Sequence, residues 1–307
     1  FWAVTALAAM LGQMGKPGGG VAYGYTITNY LGNNVFKMPY APLPQGKNLV
    51  TDFIPVARVS DMLLNPGQKF DYDGCEYTYP DIDMIYWAGG NPFHHHQDLG
   101  RLRKAWEKPS TVVVNEWCWN ALARHADIIL PCTTTLERQD IGMTPRDPFV
   151  ISMDKAIEPV GEAKNDYDIF AGIARRMDTE DSFTEGRSAE DWQKWIWEQS
   201  CERAAKLNVQ MPDYESFREA GFYKSPDLKE DRIFLSDFFE DPDKNPLKTP
   251  SGKIEIFSKT IDSFNYNDCP GHPTWMEPDE WLGAEEKAYP LHPVSYTHLT
   301  LPTTYEV

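Results

Sequence analysis

The sequence is short of positive charge. Its 46 Asp and Glu outnumber 29 Lys and Arg, leaving a formal charge of -17. That balance excludes the basic footprint that non-specific nucleic-acid binding needs. It also argues against an anionic membrane surface as a partner. No run of about 18 apolar residues occurs, so no membrane insertion is expected. Cysteine is scarce and scattered, at Cys75, Cys118, Cys132, Cys201 and Cys269. With no CxxC pair, an iron–sulfur or zinc-ribbon site is not expected, and the thiols read as free or buried. Such cysteines suit a bacterial cytoplasm or periplasm equally. GxSxG, HExxH and the P-loop are absent, which removes the familiar hydrolytic templates. GxGxxG is absent as well, which counts against a nicotinamide dehydrogenase.

What is present indicates a globular chain with a real core: 307 residues, 41% hydrophobic and 24% charged. The opening FWAVTALAAMLGQMG predicts a helix from about Trp2 to Met14, stopped at GQMGKPGGG by Pro17 and Gly18 to Gly20. Residues 23–55 read as loop. A short helix follows, from about Pro55 to Leu64, closed by Asn65-Pro66-Gly67. FDYDGCEYTYP carries a hairpin signal at Asp73-Gly74.

The central stretch carries the fold signal. IDMIYWAGG and STVVVNE read as buried strands, and IILP reads as a third strand. LGRLRKAWEK lies between the first two, with Leu99, Leu102, Ala105 and Trp106 on one helical face. NALARHAD reads as a short helix before the third strand. Strand, helix, strand, helix, strand predicts an α/β fold with a parallel sheet and crossover helices. Ligands of such sheets bind at the carboxyl ends of the strands, here GGNPFHHH, NEWCW and PCTTTLER. Beyond Asp140 the strand signal weakens. NDYDIFAGIARRM and AEDWQKWIWEQSCERAAKL predict helices, the second with Trp192, Trp195, Ile196 and Trp197 as an aromatic packing face. TPSGKIEIFSKT predicts a turn and an alternating strand, with Ile254, Ile256 and Ser258 on one side.

GGNPFHHHQD poses the functional question. Three adjacent histidines cannot turn toward one metal, because neighbouring side chains diverge on a helix and on a strand. A nucleotide cradle suits the stretch better. Gly89 and Gly90 let the backbone approach a bulky ligand. Asn91-Pro92 sets an extended turn and presents an amide. The helix that follows aims its N-terminal amides at the same place. Glu116 ends the second strand, where dinucleotide folds bind ribose or base. Arg138, after the third strand, has the chemistry to pair with phosphate or a carboxylate. Asp166, at a helix start, can cap that helix or accept the paired N–H donors of a guanine. An ordinary strand-to-helix turn, a surface ion pair and a plain cap are the alternatives for these positions.

Several segments together resemble the DMSO reductase family of molybdopterin enzymes. They are GQMGKPGGG, GGNPFHHHQDLGRLRKAWEKPSTVVVNE, ARHADIILPCTTTLERQDIG, EAKNDYDIF, FTEGR, TPSGKIEIFSKTI and DCPGHPTWMEPDEWLG. The likeness runs from Phe1 to about His292 and is strongest to the biotin sulfoxide branch, with the trimethylamine-N-oxide branch next. It implies a molybdenum cofactor with two molybdopterin guanine dinucleotides, and cofactor contacts at Asn91, His95, Glu116, Arg138 and Asp166. His94 and His96 are left as packing or turn residues. The implied reaction is two-electron oxygen-atom transfer from an S-oxide or N-oxide. A nucleotide-binding α/β module without a redox role is the alternative.

The resemblance also implies an organisation. Residues 1–22 continue an upstream region, and 23–176 form the α/β dinucleotide-binding domain. Residues 177–293 form a mixed α+β segment of the same catalytic core. The Thr-rich tail 294–307 is expected to be non-native. The family's metal-ligating Ser would lie upstream of Phe1, so no catalytic residue is assigned here. The expectation is an internal fragment of a larger multidomain enzyme, inactive alone.

Overall fold

The computed structural model of the chain describes residues 2–21, 36–144, 147–227 and 233–278. Residues 23–35 of the expected loop and the tail 294–307 lie wholly outside those residues. Helix α1 (Trp2–Met10) is shorter than its apolar pattern predicts. It stops where Gly12 and Gly15 take positive φ. Gly15 is also pressed against Leu235 and Phe239, where an added Cβ would lie 2.4 Å from the Phe239 Cβ. The Trp2 indole donates to the carbonyl of Glu255 at 3.1 Å.

Residues 36–55 carry no regular element, and a 3-10 turn (Val56–Arg58) leads into α2 (Val59–Leu64). Strands β1 (Lys69–Tyr72) and β2 (Cys75–Thr78) pair antiparallel with Tyr72 opposite Cys75. Asp73 and Gly74 form the two-residue turn, both with positive φ, as a tight hairpin requires.

The expected parallel sheet is present. Strands β3 (Met84–Ala88), β4 (Thr111–Glu116) and β5 (Ile128–Pro131) lie in that order, all parallel. Between β3 and β4 run a single-turn helix α3 (Pro92–His95) and α4 (Leu99–Trp106). Only the central strand is buried along its length. β3 flanks it with Met84 exposed, which corrects the expectation of a buried first strand: it has one strand neighbour among the described residues. Leu102, Ala105 and Trp106 of α4 join Leu63, Phe93, Val112, Val114 and Leu122 in one core. Leu99 does not, because it sits in the first turn and faces solvent. NALARHAD gives only a 3-10 turn (Ala123–His125), held by Ala123 N–H donating to Asn120 Oδ1 at 3.0 Å.

The weak strand signal beyond Asp140 conceals a second sheet. β6 (Asp140–Met143), β7 (Phe149–Met153) and β8 (Phe222–Lys224) are antiparallel. Helices α5 (Asp166–Arg176), α6 (Glu180–Thr184), α7 (Ala189–Ala205) and α8 (Tyr214–Ala220) lie between β7 and β8 in sequence. α7 opens with a capping box, Ser188 and Asp191 bonding each other's backbone N–H. Its aromatic residues divide between two neighbours. Trp197 stacks on Phe217 of α8 at 3.8 Å, whereas Trp192 receives the Arg187 guanidinium at 4.5 Å. Val150, Trp197, Tyr214 and Phe217 form the second core. The strand predicted from TPSGKIEIFSKT is absent, since no neighbouring strand pairs with it among the described residues. Ser258 instead caps α10 (Lys259–Asp262), after α9 (Ser236–Glu240).

Candidate functional site

The carboxyl ends of β3, β4 and β5 open on a cavity of about 810 Å³. All five residues singled out from the sequence line it: Asn91, His95, Glu116, Arg138 and Asp166.

Gly89 and Gly90 form the floor after β3, with φ of 79° and 71°. Nothing lies within 4 Å of where a Cβ would stand on either. Glycine is therefore needed for the left-handed backbone, and the space beside it is open to a ligand. Asn91 follows in the extended conformation, and its Oδ1 accepts from the Phe93 N–H at 3.0 Å. Its Nδ2 is buried and has no partner, an orphaned donor in the wall of the cavity. Such atoms are rare and carry a cost unless something accepts from them.

The histidines divide. His94 and His95 both line the cavity, while His96 packs edge-on against Trp87 at 6.4 Å. His94 is thus a wall residue as well as a residue of the single turn Pro92–His95. The helix after GGNP also differs from expectation. It is the single turn α3, not LGRLRKAWEK, because Asp98 takes a left-handed φ of 47° and its side chain caps α4 afresh. The Phe93 amide that a phosphate would have met is already used by Asn91.

Glu116 is 8% exposed at the end of β4. Its Oε1 accepts from Trp117 N–H at 2.9 Å and its Oε2 from Asn120 Nδ2 at 2.6 Å. It therefore shapes the turn after the strand as well as walling the cavity. Arg138 donates from Nε to Asp140 at 3.1 Å and from Nη1 to the Thr133 carbonyl at 2.9 Å. Its Nη2 makes no hydrogen bond or ion pair among the described residues. Asp166 reaches the cavity because Lys164 bridges to Cys132 beside the end of β5, setting the start of α5 there.

Sequence reasoning missed further members of this wall, among them Cys132, Thr133 and Asn115. Cys132 lies between Glu116 and Asp166, and burial, reinforced by those two carboxylates, pushes its thiol up to about 11. Thr133 is buried and donates to Asn165 Oδ1 at 2.8 Å. Asn115 is buried and donates to Asp166 Oδ1 at 2.8 Å. An amide next to the end of the buried strand TVVVNE was the available signal, since a polar group there must find a partner. A second cavity of about 640 Å³ shares Arg138 and Asp166 with the first and continues towards Tyr167, Phe183 and Trp192. Among the described residues no cluster of three or more His, Cys, Asp or Glu could hold a metal ion, and no helix is long and apolar enough to cross a membrane.

Known proteins are similar to this sequence. Biotin sulfoxide reductase of Cereibacter sphaeroides is 44% identical over 298 residues, which is 96% of this chain and 40% of that protein. Dimethyl sulfoxide/trimethylamine N-oxide reductase of the same organism is 44% identical over 308 residues, 96% of this chain and 37% of that protein. Trimethylamine-N-oxide reductase of Haemophilus influenzae is 41% identical over 324 residues, 99% of this chain and 39% of that protein. The chain thus spans 37 to 40% of the length of these relatives. Among solved structures, acetylene hydratase of Pelobacter acetylenicus overlays 66% of this chain and 25% of its own at 21% identity, with a TM-score of 0.45, a likeness too slight to build on. The molybdopterin oxidoreductase family model matches residues 1–176, which include every wall residue named above. That match covers more than half of the sequence, and the chain belongs to the molybdopterin oxidoreductase family.

Proposed function

We propose that this chain forms part of a molybdenum-dependent S-oxide or N-oxide reductase, of the biotin sulfoxide or trimethylamine-N-oxide type. Residues 23–176 would be its dinucleotide-binding domain and 177–293 a further segment of the catalytic core. Its cofactor would be bis(molybdopterin guanine dinucleotide) molybdenum. The observation that carries this reading is the gathering of Asn91, His95, Glu116, Arg138 and Asp166 on one cavity, with a buried Asn91 donor left unpaired.

The residues fit a guanine dinucleotide by their donor and acceptor chemistry. Asn91 Nδ2 and Arg138 Nη2 are uncommitted donors suited to diphosphate oxygens. The open flank of Gly89 and Gly90 admits the same group closely. Glu116 would accept from a ribose hydroxyl, and Asp166 from paired N–H donors of the base. His94 and His95 would add hydrogen bonds on the loop side. The chemistry supplied by the bound cofactor is two-electron oxygen-atom transfer, while the protein contributes binding and orientation. An S-oxide or N-oxide substrate is proposed from the relatives' names.

The nucleotide end is directly testable. Titration calorimetry of the 307-residue chain with GDP and ADP should show tighter binding of GDP. Asp166→Ala should abolish that preference, and Asn91→Ala should weaken both nucleotides by about tenfold. Equal affinity for GDP and ADP in the unaltered chain would overturn the guanine dinucleotide reading.

A further inference from the structure

The Asp166 carboxylate is held from behind. Its Oδ1 accepts from Asn115 Nδ2 at 2.8 Å, and Asn115 Oδ1 accepts from the Tyr86 hydroxyl at 2.8 Å. The direction of this relay is fixed. A carboxylate only accepts, so the amide nitrogen must face it and the amide oxygen must face the phenol. A flipped amide would set two acceptors against each other. Burial pushes the Tyr86 phenol up, which keeps it a donor.

The anchoring is rigid at both ends. Asn115 is 4% exposed and lies on β4 opposite Ala88 of β3. Tyr86 lies two residues earlier on β3, and its ring packs on Phe170 at 5.3 Å. Phe170 stands one helical turn beyond Asp166 on α5. The same relay thus ties the sheet to the helix that carries the carboxylate, and side chains fixed in this way hold their geometry without reorganisation.

We propose that Asn115, set by Tyr86, is the positioning residue that gives Asp166 its choice of base. This rests on Asp166 being the guanine contact. A carboxylate held in one orientation rewards adjacent N–H donors, which the guanine edge presents. Adenine offers a ring acceptor at the corresponding place, and two acceptors face to face are unfavourable. Without Asn115 the carboxylate can rotate and hydrate, so it accommodates either base. The side chain of Asn115 bonds only Tyr86 and Asp166, and not Asn91 or Arg138, where the diphosphate contacts are proposed. Loss of Asn115 should therefore erode selectivity far more than affinity for the phosphate-bearing part.

The test is the ratio of GDP to ADP dissociation constants, measured by calorimetry on the 307-residue chain. Asn115→Ala should cut the preference for GDP about tenfold while ADP affinity moves less than about twofold. Tyr86→Phe, which removes one oxygen atom, should cut it about threefold. A merely structural role would weaken both nucleotides together and leave the ratio unchanged. If Asn115→Ala does not fold by circular dichroism, Tyr86→Phe decides alone. An unaltered ratio in the folded variants would overturn the role of Asn115 while leaving Asp166 as the base contact. An unaltered chain with no preference for GDP would remove the guanine contact itself, and this proposal with it.

Discussion

Arg138 Nη1 donates to the carbonyl of Thr133 across 2.9 Å, fixing a guanidinium to the loop that walls the cavity. A second bond from Nε to Asp140 completes the anchor and leaves Nη2 for a ligand. The planar fork of arginine makes such division of labour possible, and an ammonium cannot reproduce it. Arg138→Lys is therefore expected to weaken GDP about fivefold although the charge is kept, and Arg138→Ala by more than about tenfold. Calorimetry at low and high salt checks the cause. The unaltered chain should lose affinity with salt more steeply than Arg138→Ala. Full retention of affinity in Arg138→Lys would mean that only the charge matters.

Cys132 gives a prediction that depends on pH. Burial, with Asp166 and Glu116 adding to it, raises its thiol to about 11. A raised thiol pKa keeps the proton on sulfur, so near pH 8 only roughly one molecule in a thousand carries the thiolate. Cys75 and Cys269 are exposed. Iodoacetamide labelling followed by mass spectrometry should find Cys132 slower than either by at least about tenfold. Its rate should go on climbing with pH as far as about 11. Bound GDP should slow Cys132 further and leave Cys75 untouched. Equal rates at all three positions would refute the assigned environment.

Glu116 and Asn120 separate a structural duty from a binding one. Their 2.6 Å hydrogen bond closes the turn after β4. Asn120 also accepts from the Ala123 N–H, so its removal loosens the 3-10 turn as well. Asn120→Ala should lower the unfolding free energy by about 1–2 kcal/mol, read by urea denaturation. Nucleotide affinity should fall less than in Glu116→Ala, which removes the carboxylate from the cavity. Equal affinity losses in the two variants would show that Glu116 acts only by shaping the turn.

Much of this site was legible because its residues sit where simple rules place them. Gly89-Gly90-Asn91-Pro92 cannot extend a strand, TVVVNE can hardly be anything but buried, and ligands collect at such strand ends. The members that escaped notice act through side-chain partners distant in sequence. Asn115 meets Asp166 only because the chain returns beside β5 at Lys164, and no local pattern encodes that return. The second sheet escaped for a related reason. β6 and β8 have short, half-polar sequences whose pairing with β7 supplies what their own pattern lacks. The failure at Ile254 and Ile256 is the converse: alternation without a neighbouring strand does not make one.

The second core is centred on one stacked pair. Trp197 and Phe217 stack with centroids 3.8 Å apart and are 2% and 0% exposed. The Trp197 indole N–H also donates to the carbonyl of Pro212 at 2.9 Å, so truncation loses packing and strands an acceptor. Trp197→Ala should cost about 3–5 kcal/mol. Trp195 provides the comparison on the same helix. It is only half-buried and meets Trp192 edge-on at 5.4 Å, so Trp195→Ala should cost about 1–2 kcal/mol. Urea unfolding followed by far-ultraviolet circular dichroism measures both. Because Val150 of β7 and Tyr214 of α8 share the core with Trp197, its loss should also loosen the sheet that begins two residues after Arg138. GDP binding should then weaken in Trp197→Ala and hold in Trp195→Ala. Equal destabilisation by the two variants would show that α7 is held by its aromatic content as a whole and not by the stack on Phe217.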